Sequence, residues 1–373
     1  MTFGLRSLAL ALLLATLAAC SSGPDRPEPT PLQSFAPQIQ GAQVWQAQLG
    51  DVEFALAVAA DATSVTLASS SGDVIALAAD TGRELWRGNV GEALSAGVGS
   101  DGRYASVVTR GNELVVFDAG KLLWRARLDT RVVTAPLVAG ERVFVLGVDR
   151  SVRAFDVLNG RKLWALARSG DPLTLLQAGV LLPWQNTLVV GQAARLVGLD
   201  PLSGAQRWEA AIASPRGTNE VERLADLVGP AARIGDTVCA RGFQSAVGCV
   251  DAARGVLSWT KNVGGANGVA ADEQLVFGAD ASDRITAWKR EGGDVAWTSD
   301  DLRFRSLSSP LVLGRTLVFG DYQGQLHFLD RENGKPLLRL PTDGEAIVGA
   351  PVKAGPNIVA VTRDGGVFAF RAE

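Results

Sequence analysis

Three features of the 373-residue sequence predict an all-β protein folded as an eight-bladed β-propeller. A strand–turn–strand motif recurs with a tryptophan at its end. The spacing of those tryptophans suits a four-stranded blade, and the two chain ends together supply one more blade.

The motif first reads Val74-Ile75-Ala76-Leu77, then Asp80-Thr81-Gly82, then Trp86. It returns as Val115-Val116-Phe117-Asp118 before Trp124, and as Ala154-Phe155-Asp156 with Asn159-Gly160 before Trp164. Gly198-Leu199-Asp200 precedes Trp208, Cys249-Val250-Asp251 precedes Trp259, and Thr286-Ala287-Trp288 precedes Trp297. A seventh copy, Phe328-Leu329-Asp330 with Asn333-Gly334, ends on Leu338 in place of tryptophan. Successive anchors lie 38 to 51 residues apart, and Trp45 precedes Trp86 by 41. Within the third unit, strands are expected near Ala135–Ala139, Arg142–Gly147, Val152–Asp156 and Lys162–Ala167, parted by the turns Gly140-Glu141, Asp149-Arg150 and Asn159-Gly160. After Leu338 the chain carries three more strands, Ile347–Lys353, Ile358–Thr362 and Val367–Arg371, and no fourth. Gln43-Val44-Trp45-Gln46 reads as a fourth strand without a first three. Joined, the ends make the eighth blade and close the ring, which removes two open sheet edges.

Inter-blade packing is the simplest role for one tryptophan per blade at a fixed offset from a turn; ligand stacking is the alternative. Aspartates and glycines of the turns are explained by side-chain-to-backbone bonding and positive φ. The repeats resemble those of quinone-cofactor dehydrogenases. That resemblance implies a longer chain, a calcium-type metal among carboxylates and amides, and adjacent cysteines, none of which is legible here.

Composition narrows the function further. With 36 basic and 39 acidic residues the formal net charge is −3, which argues against a nucleic-acid binder held by a basic face. One histidine and three cysteines exclude a site built from several imidazoles or thiolates. Neither a nucleophile elbow, a zinc-protease motif nor a phosphate-binding loop occurs. No catalytic residue, cofactor or metal is expected. His327, in the alternating strand Gln325–Leu329, reads as structural rather than as a base.

Residues 1–19 read as a signal peptide: one charge, Arg6, then the apolar run Leu8–Leu17, too short to span a bilayer. Leu17-Ala18-Ala19-Cys20 resembles a bacterial lipobox, which implies acylation of Cys20; the alternative is ordinary cleavage near Ala19 that leaves a free thiol. Ser21 after the cysteine resembles an outer-membrane sorting signal. Pro24, Pro27, Pro29, Pro31 and Pro37 then mark residues 20–37 as an extended leash between membrane and domain, with the propeller from 38 to 373. Removal of the signal peptide with Arg6 leaves a formal net charge of −4.

Departures from the period are the candidate functional positions. The longest connection between blades follows Trp208 and contains Glu222, Arg223, Leu224 and Asp226. The next longest, around Ser169–Leu176, contains Leu173 and Leu175. Connections between blades leave a propeller on one face, so these two are expected to form one patch in which Leu173, Leu175, Leu224 and Leu227 sit among charges. An apolar centre with a charged rim suits protein recognition, and harmless loop drift is the alternative. Cys239 and Cys249, on adjacent strands of one blade, are either a disulfide or two small buried residues.

Lipobox, proline leash, eight blades and the stretch Thr218-Asn219-Glu220-Val221-Glu222-Arg223-Leu224-Ala225-Asp226 together resemble the BamB family, outer-membrane lipoproteins of the β-barrel assembly machinery. The resemblance implies a non-enzymatic scaffold on the periplasmic face of the outer membrane that binds the POTRA repeats of BamA and assists barrel insertion. It also implies docking through a Leu-x-Leu-Arg segment and an Asp-x-Asp segment. Here these read Leu173-Thr174-Leu175-Leu176 and Asp226-Leu227-Val228, so the arginine and the second aspartate have no counterpart. Pairing of unfolded client strands to outer blade edges is a further expectation. The competing reading is a periplasmic propeller that holds a small ligand or another envelope partner in its central channel, which requires convergent polar side chains at the channel mouth.

Overall fold

The structure is a computed structural model that describes residues 27–54, 56–167, 173–214, 219 and 224–372. The expected signal peptide, Cys20, Glu222 and Arg223 lie outside the described residues.

Eight four-stranded antiparallel sheets are arranged as blades. The first runs from the inner strand Ala59–Ala60 through Ser64–Ala68 and Asp73–Ala78 to the outer strand Glu84–Asn89. The third comprises Leu137–Ala139, Arg142–Leu146, Val152–Asp156 and Lys162–Leu166, within two residues of the sequence expectation. In the eighth, Val352–Ala354, Asn357–Val361 and Gly366–Ala372 are completed by Gly41–Gln48 from the other end of the chain. Gly41 stands opposite Ala372 and Gln48 opposite Gly366, so the ring closes as the split repeat predicts.

Middle strands of each blade are buried on both faces, which is why they read as continuous apolar runs such as Val115-Val116-Phe117. The core is distributed between neighbouring blades. Phe144, Leu146 and Val152 of the third blade, for example, pack against Leu188, Val190 and Val197 of the fourth.

A bulge precedes each anchor residue in the outer strand, opposite the third strand, in all eight blades. It turns the anchor toward the next blade. There the tryptophan ring lies on the glycine of the turn between third and fourth strands: Trp45 on Gly82, Trp86 on Gly120, Trp124 on Gly160, Trp164 on Gly204, Trp208 on Gly255, Trp259 on Gly293 and Trp297 on Gly334. Each of these glycines has φ between 67 and 85°. Glycine is required twice over at such a site, because a Cβ would be strained by the backbone and would strike the ring. The indole Nε1 of Trp124 also donates to Val157 O (2.7 Å), and that of Trp297 to Arg331 O (2.9 Å).

Leu338 breaks the pattern for a reason the closure supplies. The blade that follows it is the eighth, whose third and fourth strands come from opposite chain ends and have no turn between them. Leu338 packs instead against Gly41, where a Cβ would lie 2.5 Å from its Cδ2.

The leash differs from expectation. Residues 27–37 form no strand, yet they pack on the seventh blade rather than standing free of it. Proline density prevents sheet pairing, but it does not prevent side chains such as Leu32 from joining the apolar cluster of Trp297, Leu302 and Leu307.

Candidate functional site

All blades start on the same face, so the connections between blades and the hairpins between second and third strands share one rim of the propeller. On that rim the third, fourth and fifth blades are joined by one carboxylate. Asp226 Oδ1 accepts a hydrogen bond from Arg150 Nη2 at 3.1 Å, and its Oδ2 accepts one from the Leu175 N–H at 3.0 Å. The same Arg150 nitrogen donates to Leu173 O at 3.2 Å. Arg150 occupies the left-handed region (φ 62°) in the third blade's hairpin, which turns its side chain across to the neighbouring connection. Its own carbonyl accepts from Gln192 Nε2 of the fourth blade at 2.8 Å. Side chains of Arg150 and Asp226 are 13% and 17% exposed, enough desolvation for the ion pair to hold the loops and too little burial to impose a large penalty.

The described ends of the two connections meet at Leu175 and Asp226, and their residues divide into two groups. Leu176 (62% exposed) and Leu173 (36%) face solvent, whereas Leu175 and Leu224 are half-buried. Leu227, expected in the patch, is instead buried in the core, where its N–H donates to Ala193 O and starts the inner strand of the fifth blade. Asp226 does not project outward as a rim charge; it is spent on holding Leu173–Leu175. Arg150 is the residue that sequence reasoning missed. Its only signal was its place in the turn Asp149-Arg150, which reads equally well as an ordinary hairpin.

Cys239 and Cys249 stand directly opposite one another in the fifth blade, with sulfurs 1.94 Å apart as a disulfide. The next residues of that sheet lead into the same rim, where Phe243 N donates to Asp226 O.

The central channel holds a cavity of about 490 Å³, lined largely by alanine, valine, leucine and backbone. Polar side chains on its wall are engaged: Thr134 Oγ1 accepts from Gly179 N–H, Gln177 Nε2 donates to Ala266 O, Asn267 Nδ2 donates to Leu307 O, and Ser309 Oγ accepts from Gly268 N–H. Among the described residues no group of His, Cys, Asp and Glu is placed to hold a metal ion.

His327 is buried in the seventh blade, where its Nε2 lies 3.0 Å from Asp321 Oδ2 and its Nδ1 accepts from Arg339 Nε at 3.3 Å. Arg305 donates from Nε (2.8 Å) to the same Asp321 oxygen. Burial pushes the imidazole below its ordinary value, and this outweighs the opposing pull of Asp321. Burial also pushes the Asp321 carboxyl up, but the hydrogen bonds from His327, the Gln325 N–H and Arg305 leave it below the usual carboxylate range.

The fold is a closed eight-bladed propeller in which Arg150, Leu173, Leu175 and Asp226 meet on one rim. Comparison with known proteins makes this particular. The family model described as outer membrane protein assembly factor BamB matches residues 33–93 and 70–299. The Burkholderia pseudomallei protein of that name is 37% identical over 369 residues, 98% of this chain and 97% of the relative. The crystal structure of BamB from Moraxella catarrhalis superposes with a TM-score of 0.81 at 23% identity, over 89% of this chain and all of that one. A quinohemoprotein alcohol dehydrogenase from Pseudomonas putida shares the fold, with a TM-score of 0.67 at 13% identity over 89% of this chain and 76% of its own. The chain belongs to the BamB family of outer membrane protein assembly factors.

Proposed function

We propose that the protein is a lipid-anchored, non-enzymatic scaffold of the β-barrel assembly machinery, which docks the POTRA repeats of BamA through the rim of its third to fifth blades. The observation that carries this reading is the Asp226 brace, which ties Leu173 and Leu175 to Arg150 and leaves Leu173 and Leu176 facing out. A partner meeting an ordered apolar strip loses less conformational entropy on binding than one that must order the loops itself. Leu224, half-buried two residues before Asp226, belongs to the same surface, and Glu222 and Arg223 enter the proposal by sequence alone. Cys20 carries the acyl anchor, and confinement to the periplasmic face of the outer membrane raises the effective concentration near BamA.

A photocrosslinking residue in place of Leu176, in the full-length protein in its own envelope, tests the docking face. Adducts to BamA from this position and none from Leu202, which is 60% exposed on the opposite rim, support it. The reverse pattern overturns it.

A further inference from the structure

The segment from Pro27 to Gln40 crosses the outer wall of the seventh blade from one rim to the other. At its upper end Thr30 N donates to Arg303 O (3.0 Å), and Thr30 O accepts from Arg305 Nη1 (3.2 Å). Midway, Gln33 O accepts from Arg339 Nη1 (3.2 Å), and the Arg339 guanidinium lies 5.2 Å over the Phe35 ring. At the lower end Gln38 N donates to Leu337 O (2.8 Å) and Ile39 joins the cluster around Leu338. The partners fall in number as the segment advances, so it runs antiparallel to the outer strand Pro336–Pro341. That strand is correspondingly buried at Leu337 and Leu338, whereas Glu84–Asn89 and Lys121–Arg127 are mostly exposed.

Both arginines are themselves fixed from behind. Arg305 pairs with Asp321 inside the blade, with side-chain exposures of 3% and 0%, and Arg339 is held by His327. Arg303 and Arg305 belong to the connection between sixth and seventh blades. This connection leaves from the same rim as the two docking connections.

We propose that Pro27–Gln40 is a clamped strap that sets where the membrane anchor leaves the propeller, so that the docking rim is the side turned toward the bilayer. This rests on the reading of Cys20 as the acylated residue. A leash free up to the first strand would span the 21 residues from Cys20 to Gly41, about 70 Å at full extension; with the strap clamped at Thr30 the span is ten residues, about 35 Å. The clamp halves the reach of the domain and brings the anchor out beside the docking rim.

The test uses the mature chain coupled through Cys20 to a maleimide lipid in a supported bilayer of phosphatidylethanolamine and phosphatidylglycerol, which does not depend on acylation in the cell. Hydrogen exchange at the Thr30 and Gln38 amides, the two that donate to the seventh blade's wall, is expected to be slowed about 100-fold or more relative to an unfolded chain, read from peptides covering residues 27–40. Neutron reflectometry is expected to place a narrow protein layer within about 35 Å of the headgroups. Arg339→Gln combined with Phe35→Ala is expected to abolish the protection and to broaden and raise the layer. Leu32→Asp is expected to do the same from a residue outside the propeller, should the first pair disturb the blade. Unprotected residues 27–40 in the unaltered chain, or an unchanged layer in both variants, overturns the proposal. The mass of the N-terminal peptide from cell envelopes separately decides acylation, so failure of the anchor reading is distinguishable from failure of the strap.

Discussion

Arg150 and Asp226 come from different blades, 76 residues apart in the chain, and meet at 3.1 Å on the rim that carries both long connections. Neither needs to touch a partner to matter for binding. Replacing Arg150 by Gln, or Asp226 by Asn, is expected to cost about 1–3 kcal/mol of unfolding free energy, because each change leaves charged hydrogen bonding unmet in a partly desolvated place. Each is expected to weaken docking about tenfold or more by releasing Leu173–Leu175. A double-mutant cycle on denaturation midpoints should show coupling of about 1–2 kcal/mol between the two. Strict additivity would contradict the brace.

Trp124 and Gly160 bear on the propeller itself. Gly160 has φ 73°, and a Cβ there would lie 2.7 Å from the Trp124 ring. Gly160→Ala should destabilise the protein by about 2 kcal/mol or more, and Trp124→Ala by about 3–5 kcal/mol. Restoring the repeat with Leu338→Trp is expected to destabilise as well, by about 1–3 kcal/mol, since Gly41 leaves no room and no turn receives the ring. A rise in melting temperature for that variant would contradict the closure argument.

Acid should loosen the seventh blade. His327 has a folded-state pKa below 6.5, so the unfolded chain takes up the proton first, and the contribution of the neutral imidazole is lost as pH falls below about 6.5. Asp321, held below 3.8, contributes above that value and loses its contribution as pH falls through its folded pKa. Protonation at Nδ1 also removes the acceptor for Arg339, so exchange protection of residues 27–40 should fade over the upper window first. Melting temperature measured from pH 7.5 to 4.5 should decline less steeply in His327→Gln than in the unaltered protein. Equal slopes would remove His327 from the account.

Cys239 and Cys249 should resist thiol reagents in the folded protein isolated from an oxidising compartment, and both should react after reduction and unfolding. Replacing the pair by alanines should cost about 2–3 kcal/mol, read from urea midpoints. Reaction of both thiols without reduction would show that the pair is not bonded.

The ring was legible because its determinants are local and repeated. Seven of the blades need a turn glycine to receive the preceding blade's tryptophan, so that pair leaves a mark every 38 to 51 residues. The odd position, Leu338, was visible as a departure, but its cause was not, because Gly41 lies almost three hundred residues away in sequence. Leu173, Leu175, Leu176 and Asp226 could be named from loop length and motif resemblance. The sequence could not separate the exposed Leu176 from the buried Leu227, which depends on where the inner strand of the fifth blade begins. Arg150 was invisible for a similar reason. Its guanidinium matters through a left-handed backbone that swings it across a blade boundary, and nothing in Asp149-Arg150-Ser151 announces that. The leash was misread because proline density speaks to backbone pairing, whereas Leu32, Phe35 and Ile39 are held by side-chain contacts and by arginines of distant strands.

The central claim is that the rim braced by Arg150 and Asp226 docks the POTRA region of BamA. Calorimetric titration of soluble Ser21–Glu373 against that region, with Leu176→Asp and Asp226→Arg in parallel and Leu202→Asp as the opposite-rim control, tests it most directly. Saturable binding that is lost in the first two variants and kept in the control is the expected result. Full binding in both rim variants, or no binding by the unaltered protein, would contradict the claim.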